Sequence, residues 1–260
     1  MKLHRIAALL LRHWYITISS VDRLFDIIFW PVLNLIVWGF ASVFVAELTA
    51  EQTVLAIFVG GMMLWSLFDR SQKDVSLYLL QDFWDQSVYN LYVTPVTEAE
   101  LFISVAAFGL LRSLLSFSLL VALALAGYGF NILTIGVVLL IPFFIPLLLF
   151  GWAIGLLITG IIFQLGSRVS IINWSLPFLL QPVAAVFYPV AILPAWLQAV
   201  AYALPLAHVF EGFRAALQGT FAVRDFAVAV ALSLGYFAVC YWLFLWFVRR
   251  SRKTGFLSKQ

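Results

Sequence analysis

Charged residues are scarce in this sequence. Asp, Glu, Lys and Arg make up 10% of its 260 residues, whereas soluble domains carry about 25%. Hydrophobic residues make up 64%, and the mean hydropathy is +1.06. A soluble fold of this length could not bury so much apolar surface, and disorder is excluded because disordered chains are poor in apolar residues. The composition therefore predicts a membrane protein whose solvent is the lipid bilayer.

Cysteine and histidine are also rare. Cys240 is the single cysteine and lies in an apolar run, which excludes an internal disulfide and a cysteine-based metal site. His4, His13 and His208 lie in three different contexts, which argues against a metal site built on histidine. We expect no metal site and no cofactor bound by this chain.

The short motifs of common enzymes are missing from the sequence. It has no glycine-rich loop ending in Gly-Lys-Ser or Gly-Lys-Thr, so it cannot hold a nucleotide by that device. It also has no Gly-x-Ser-x-Gly and no His-Glu-x-x-His pattern. An intramembrane hydrolase would need His208 beside a serine, and Ser233 is poorly placed for that role. We therefore expect no catalytic residues and do not expect an enzyme.

What the sequence does have is long apolar runs. A helix needs about 20 apolar residues to cross the hydrocarbon core, and six runs are candidates, so residues 1–260 are predicted to form one all-α membrane domain with six spans. The fourth run exceeds the bilayer thickness, and Pro142 and Pro146 are expected to kink it. Gly151 and Gly155 have the spacing for close helix packing, which we assign to contacts within the chain. The runs are residues 25–46, 53–68, 100–126, 132–163, 169–190 and 226–248.

Basic residues outside these runs fall mostly on one side of the membrane. An even number of spans places both termini on the same side, and that side then holds twelve Lys and Arg residues against two on the other. Because cytoplasmic loops carry an excess of Lys and Arg, both termini are predicted to be cytoplasmic. The cytoplasmic group is Lys2, Arg5, Arg12, Arg23, Arg70, Lys73, Arg168, Arg249, Arg250, Arg252, Lys253 and Lys259, and the outer pair is Arg214 and Arg224.

Residues 1–24 precede the first span and have a helical pattern with two different faces. Such a helix is expected to lie in the inner membrane interface; an ordinary short flank before the first span is the alternative. The polar face would carry Lys2, Arg5, Arg12 and Ser19, and the apolar face Leu3, Leu10, Trp14 and Val21.

An acidic loop is predicted on the cytoplasmic side over residues 72–99. It contains large apolar residues at spacings that a short amphipathic helix could use, and proline ends that helix. A short exposed helix with aromatic side chains and acidic flanks is suited to docking in a groove of another protein; a helix resting on lipid is the alternative. The candidate docking residues are Asp82, Phe83, Trp84, Asp85, Val88, Tyr89, Leu91, Tyr92, Thr94 and Pro95.

Prolines interrupt the apolar stretch between the fifth and sixth runs, on the outer side. They divide it into two short helices, at about 195–203 and 206–218, which we expect to form a re-entrant hairpin over residues 191–220. His208, Glu211 and Arg214 are each three residues apart and can form a ladder, which either gates an exit pathway or only anchors the hairpin. The candidate residues of this hairpin are Tyr188, Pro189, Pro194, Trp196, Pro205, His208, Glu211 and Arg214.

Two polar residues lie inside the predicted spans. Arg112 is about 12 residues into the third span, or roughly 18 Å along a helix. A buried arginine in a membrane pairs with a carboxylate or marks a substrate path, so Arg112 either pairs or attracts an anionic headgroup. Asp26 and Asp69 are its candidate partners, and spacing alone does not choose between them. Asn34 is expected to hydrogen-bond between helices or to line the pathway.

Two stretches together resemble the permease subunits of type-2 ATP-binding cassette exporters: LYVTPVTEAEL at 91–101, and FYPV..LPAWLQ followed by LPLAH..EGFR at 187–214. The resemblance covers nearly the whole chain. It implies six spans, an interfacial helix, a cytoplasmic coupling helix and a re-entrant hairpin, in a prokaryotic cytoplasmic (inner) membrane. It also implies a second permease copy, expected to make a homodimer, and separate ATPase subunits that use ATP and Mg. Residues 86–89 depart from the Gly-Thr-x-Glu of that family.

The resemblance also bears on the substrate. Polysaccharide permeases of the family often carry Phe-Pro-Arg after the coupling helix, whereas Val-Thr-Pro-Val stands here at 93–96. This implies export of an amphipathic or hydrophobic molecule, such as a drug, a lipid or a lipo-oligosaccharide, and no nucleic acid partner. A lipid-linked polysaccharide is the alternative. A secondary transporter is less favoured, because coupling-ion transporters carry carboxylates near the midplane, and Asp26 and Asp69 lie near span ends. A scaffold is less favoured because it would not need the acidic docking loop.

Overall fold

The computed structural model describes residues 3–49, 53–84, 96–135, 137–166 and 169–254. Nearly all of these residues are helical, and the described part of the chain contains no strand. The helices are α1 (Leu3–Ile18), α2 (Val21–Thr49), α3 (Thr53–Trp84), α4 (Glu98–Tyr128), α5 (Val137–Leu165), α6 (Ile172–Val183), α7 (Ala195–Ala203), α8 (Pro205–Leu217) and α9 (Val223–Thr254), with 3-10 turns at Ile132–Ile135 and Val190–Ile192.

Five helices in the described residues are long and apolar enough to cross a membrane. They contain four of the six predicted runs and most of a fifth, 132–163, whose first residues form the 3-10 turn Ile132–Ile135 instead. They confirm an all-α, multi-pass membrane protein. The candidate spans are Arg23–Thr49, Thr53–Tyr78, Ala99–Tyr128, Val138–Leu165 and Val223–Ser251.

The predicted span 169–190 is wrong as a single long helix. Only Ile172–Val183 forms α6, whose 12 residues extend about 18 Å and do not cross about 30 Å of hydrocarbon. Pro177 and Pro182 lie inside this helix. Beyond it the chain turns, with Ala185 in a left-handed conformation at φ 54°, so the helix cannot continue.

The predicted loop 72–99 is also wrong over its first part. Helix α3 continues without a break to Trp84, because residues 72–84 hold no proline or glycine that would stop it. Gln72, Asp74 and Ser76 are buried rather than exposed in a loop. The predicted docking residues Asp82, Phe83 and Trp84 therefore form the last turn of α3, and the others, at 85–95, lie outside the described residues.

Helix α4 starts where its local sequence specifies a helix start. Thr97 Oγ1 accepts a hydrogen bond from the Glu100 backbone N–H at 3.2 Å, and Glu100 Oε2 accepts one from the Thr97 N–H at 3.1 Å. These two bonds form a capping box, which satisfies two amide groups that the helix itself cannot pair. Gly129, with φ 65°, ends the helix.

Helix α1 covers less than the predicted residues 1–24, and its buried face differs from the prediction. The buried residues of α1 are Ile6, Leu9, His13 and Thr17, whereas Leu3 is exposed. His13 lies edge-on to the Tyr78 ring, with centroids 4.8 Å apart, and also contacts Phe108. Helix α1 does have two different faces. However, the polar residues His13 and Thr17 lie on the face that packs against the bundle, because they contact Tyr78 of α3 and Phe108 of α4.

The directions of the helices follow from their contacts. Helix α2 runs antiparallel to α3, because Asp26 contacts Arg70 at one end and Trp38 contacts Phe58 at the other. Helix α4 is also antiparallel to α3. Helices α3 and α5 run parallel: Phe68 stacks on Phe150, and Gly155 lies one turn further along, against α3. This contact confirms that the Gly151–Gly155 pair packs within the chain.

Helices α5 and α9 also run parallel, and this constrains the chain between them. Ser233 Oγ donates to the Pro146 carbonyl at 3.0 Å, and Ser251 Oγ donates to the Phe163 carbonyl at 2.8 Å. Both contacts advance in the same direction along the two helices. The start of α9 therefore lies at the same end of the bundle as the start of α5.

Candidate functional site

Four charged side chains, three of them buried and Asp26 partly exposed, form a cluster between α2, α3 and α4. Arg112 Nη1 donates to Asp74 Oδ1 at 2.8 Å, and Arg70 Nη1 donates to Asp26 Oδ2 at 2.7 Å. The cross contacts are longer, 4.0 Å between Arg70 and Asp74 and 3.9 Å between Arg112 and Asp26. Each arginine thus faces both aspartates, and the two positive charges balance the two negative ones. We call these four residues the charge cluster.

The helices bring the charge cluster together through a close approach. Arg70 and Asp74 are one turn apart on α3 and share a face. Gly109 lies one turn before Arg112 on α4, and a Cβ atom at Gly109 would stand 3.0 Å from the Asp74 Cβ. The absent side chain at Gly109 therefore allows α4 to come near enough for Arg112 to reach Asp74.

The structure chooses between the predicted partners of Arg112. Asp26 lies 3.9 Å away, whereas Asp69 pairs with Lys73 at 2.8 Å instead. The main partner, Asp74, was not predicted, because it falls within the predicted loop 72–99. One signal in the sequence could have predicted this partner: Arg70 and Asp74 are four residues apart, as on one face of a helix that continues past the membrane face.

A cavity of about 90 Å³ lies between α2, α3 and α6, beside the charge cluster. The two ion pairs Asp26–Arg70 and Asp69–Lys73 stand at its wall, and the Lys73 ammonium lies 4.9 Å from the ring centroid of Trp174. Its other walls are mostly apolar and aromatic, and include Trp30, Trp65 and Phe178. We call it the α2–α3–α6 cavity. At this volume the cavity can hold a small apolar group beside a polar one, and the lysine–indole contact shows that its walls stabilise positive charge.

Asn34 lines this cavity. Its Nδ2 donates to the Trp30 carbonyl at 2.9 Å, four residues earlier on the same helix. This bond lies within α2 and does not join two helices, and a place for Asn34 on a substrate pathway stays a prediction.

Helix α6 is attached to α3 by a buried amide cluster. Asn173 Oδ1 accepts a hydrogen bond from Gln72 Nε2 at 2.6 Å and another from Ser76 Oγ. All three side chains are fully buried. This contact fixes the beginning of α6 beside the same part of α3 that carries the charge cluster.

The predicted re-entrant hairpin has the two predicted helices, α7 and α8. Pro205 is the first residue of α8, and Pro194 directly precedes α7. Trp196 is 70% exposed. Before the hairpin, Tyr188 Oη donates to the Pro182 carbonyl at 2.7 Å, and Pro189 directly precedes the 3-10 turn Val190–Ile192.

The predicted ladder of His208, Glu211 and Arg214 divides into two separate contacts. Arg214 pairs with Glu211, with Nη2 and Oε1 3.1 Å apart, as the three-residue spacing predicts. His208 turns away from Glu211: its Nδ1 lies 3.0 Å from Asp225 Oδ1, and its Nε2 lies 3.1 Å from the Tyr202 carbonyl. The histidine thus ties the hairpin to the start of α9.

The Glu211–Arg214 pair holds the turn that precedes the hairpin. Glu211 Oε1 accepts from the Val190 backbone N–H at 2.8 Å, and Arg214 Nη1 donates to the Ala185 carbonyl at 3.0 Å. Ala185 is buried and has the left-handed conformation that an alanine rarely adopts. These contacts anchor the hairpin; gating by it stays a prediction.

Glu211→Ala is expected to lower the free energy of unfolding by about 1–3 kcal/mol, because the buried Val190 N–H and Arg214 lose their acceptor. Glu211→Gln is expected to cost less, since its amide oxygen can still accept. Thermal unfolding of the purified protein in mild detergent measures both. Glu47→Ala, at an exposed position of α2, is the control. Equal losses for Glu211→Ala and Glu47→Ala would contradict the anchoring role.

No protein-family model matches the chain, and no curated protein matches it either. Within the residues that the structure describes, no three His, Cys, Asp or Glu side chains come together in a group that could hold a metal ion. The fold itself defines the class: an all-α, multi-pass membrane protein.

Proposed function

We propose that the chain is the membrane-spanning subunit of an ATP-driven exporter of the type-2 ATP-binding cassette class. The observation that carries this proposal is the unbroken helix α3. It leads from the α2–α3–α6 cavity at Asp69 to Trp84, at the start of the predicted docking segment, over about 22 Å. A rigid helix of that length can carry a movement at the docking segment to the cavity.

The proposed topology has six crossings. Five are the long helices, and the return of the chain between α5 and α9 would supply the sixth, with α6 covering about 18 Å of it and the residues that follow α6 extending it. Asn173 contacts Gln72, and Phe187 stacks on Phe58 with centroids 5.4 Å apart. The chain from Asn173 to Phe187 therefore runs antiparallel to α3 between residues 72 and 58. This part of α3 is about 21 Å long. With the positive-inside charge distribution, both termini are then cytoplasmic, α1 lies at the inner interface, and the hairpin lies at the outer one.

The proposed mechanism uses a separate ATPase subunit, since the sequence has no phosphate-binding loop. ATP binding would move the segment 82–95, and α3 would transmit this movement to the cavity. A second copy of the chain would complete the pathway as a homodimer, and the substrate would leave past the α7–α8 hairpin. The membrane would be the prokaryotic cytoplasmic membrane, as the resemblance implies.

The α2–α3–α6 cavity supports an amphipathic or hydrophobic substrate. Its walls combine Trp30, Trp65 and Trp174 with two ion pairs at one side. Apolar groups can stack on the indoles while a polar headgroup faces the ion pairs. A lipid-linked polysaccharide is the alternative substrate, because sugars also stack on aromatic walls.

A nucleotide-independent secondary transporter is the second candidate function, and one observation favours it. No carboxylate was predicted clearly inside a span, whereas Asp74 is buried within the candidate span Thr53–Tyr78. Two guanidinium groups already balance Asp26 and Asp74, which leaves the cluster no surplus negative charge for a coupling cation. Substrate uptake into proteoliposomes under a proton or sodium gradient, without ATP, would favour this candidate.

Trp84→Asp is expected to leave the protein inserted and folded but to reduce ATP hydrolysis in the assembled complex to the level of the ATPase subunit alone. The reason is the placement of Trp84 at the end of α3, where a carboxylate would replace an apolar docking group. ATPase activity of the purified complex measures this effect. Trp84→Phe, which keeps an aromatic ring, is the matched control and should retain stimulation. Unchanged stimulation in a fully assembled Trp84→Asp complex would contradict the coupling role.

A further inference from the structure

A second cavity is an apolar groove between α1, α2 and α4. Its volume is about 300 Å³, and its walls are almost entirely apolar. It follows α4 from Phe108 to Leu119, a length of about 16 Å. We call it the α1 groove; its lining includes Trp14, Thr17, Leu24, Ile28, Leu111 and Leu115.

The size of the α1 groove indicates what can fill it. The rim residues Ile28, Leu111 and Leu115 are each about half exposed, so the groove opens toward the surrounding lipid. A single extended hydrocarbon chain fits this volume and these walls.

Positive charge stands at the end of the groove nearest the corner between α1 and α2. Thr17, a lining residue, shares a 2.6 Å hydrogen bond with the Tyr78 hydroxyl. The guanidinium groups of Arg23 and Arg112 lie 5.9 and 5.4 Å from the centre of the Tyr78 ring. Thr17 lines the groove and is bonded to the Tyr78 hydroxyl, so the Tyr78 ring lies beside the groove. Both guanidinium groups near this ring are therefore close to the end of the groove that Thr17 lines.

Both arginines have unused hydrogen-bonding capacity. Arg23 Nη1 and Arg112 Nε are buried and have no hydrogen-bond partner among the described residues. Arg112 itself lines the groove, and its side chain is only 8% exposed. Buried guanidinium donors without an acceptor are unusual, and phosphate and carboxylate oxygens are the acceptors that such groups bind most strongly. Of these two, a phospholipid in the surrounding bilayer supplies the phosphate.

We propose that the α1 groove binds one acyl chain of an anionic phospholipid, whose phosphate is held at the α1–α2 corner by Arg23. The bound lipid would fill the space between α1 and the two spans and so fix α1 to the bundle. This proposal rests on the membrane class of the protein and does not depend on the exporter function.

Lipid retention tests the proposal. Wild-type protein and variants would be purified in mild detergent containing equal amounts of phosphatidylglycerol and phosphatidylcholine with identical acyl chains, and the bound lipid counted by native mass spectrometry. Wild type should retain one phosphatidylglycerol. Leu115→Trp and Leu111→Trp should lose it, because an indole fills the groove. Leu114→Trp is the matched control, since Leu114 is exposed on the same helix but does not line the groove, and should retain the lipid.

The headgroup is tested separately with Arg23→Gln. This variant should still retain a lipid, but its preference for phosphatidylglycerol should fall about fivefold, the effect of one basic residue at a membrane surface. Thermal unfolding of each variant verifies that it is folded. Equal retention by Leu115→Trp, Leu111→Trp and Leu114→Trp would overturn the acyl-chain site. An unchanged headgroup preference in folded Arg23→Gln would overturn the assignment of the phosphate.

Discussion

Arg112→Leu is expected to destabilise the protein by about 3–5 kcal/mol, the largest effect of any single change in the charge cluster. The variant removes the 2.8 Å partner of Asp74, which is 2% exposed. Asp74 would keep only Arg70 as a partner, at 4.0 Å. Its buried negative charge would then no longer be balanced by a hydrogen-bonded positive charge. The yield of folded protein and its unfolding temperature in mild detergent both measure this loss.

A second change should recover part of that loss. In the double variant Arg112→Leu with Asp74→Leu, no buried carboxylate is left without its partner, so the double variant should be more stable than Arg112→Leu alone. Arg224→Gln, at an exposed position, is the control and should change stability by less than about 0.5 kcal/mol. If Arg112→Leu and Arg224→Gln cost the same, the charge cluster does not stabilise the fold.

Gly155→Leu is expected to prevent correct packing of α3 against α5. A Cβ atom at this position would lie 2.7 Å from the Gln72 carbonyl oxygen and 2.8 Å from the Val75 Cβ. A backbone carbonyl cannot move aside without displacing the whole helix. The smaller change Gly155→Ala should already cost about 1–3 kcal/mol, as overpacking does in well-packed cores, and the leucine variant should yield little folded protein. Size-exclusion profiles and unfolding temperatures measure both.

Gly235 offers a matched control for this prediction. It also lies in a long helix, α9, but a Cβ atom there would meet nothing within 4 Å. Gly235→Ala should therefore be neutral or stabilising by up to about 1 kcal/mol, because alanine favours the helix more than glycine does. Equal losses for Gly155→Ala and Gly235→Ala would show that the close approach of α3 and α5 is not required.

The membrane class and the long helices could be read from the sequence, because apolar runs and helix-stopping residues are local signals. Thr97, Glu100 and Gly129 mark the two ends of α4 directly. The paired prolines and the proline-first start of α8 likewise predicted the short helices of the hairpin. Each of these features is decided within a few residues of chain.

Features that depend on contacts between distant residues could not be read in the same way. Whether Asp74 faces water in a loop or Arg112 in a bundle depends on how far α3 continues, and residues 72–84 hold no proline or glycine that would mark an earlier end. His208 meets Asp225 rather than Glu211 because α9 packs beside the hairpin, which no spacing within α8 reveals. The short α6 follows from a turn at Ala185 that Arg214 holds from 29 residues away.

The measurement that most directly tests the exporter proposal is the composition and activity of the native complex. The chain would be tagged, extracted gently from its own membrane, and its co-purifying proteins identified, with ATPase activity assayed on the same sample. The proposal predicts a stoichiometric partner that carries a glycine-rich phosphate-binding loop, together with ATPase activity that Trp84→Asp reduces. A stable complex that contains no nucleotide-binding partner would contradict the proposal and favour the ion-coupled transporter or a scaffold.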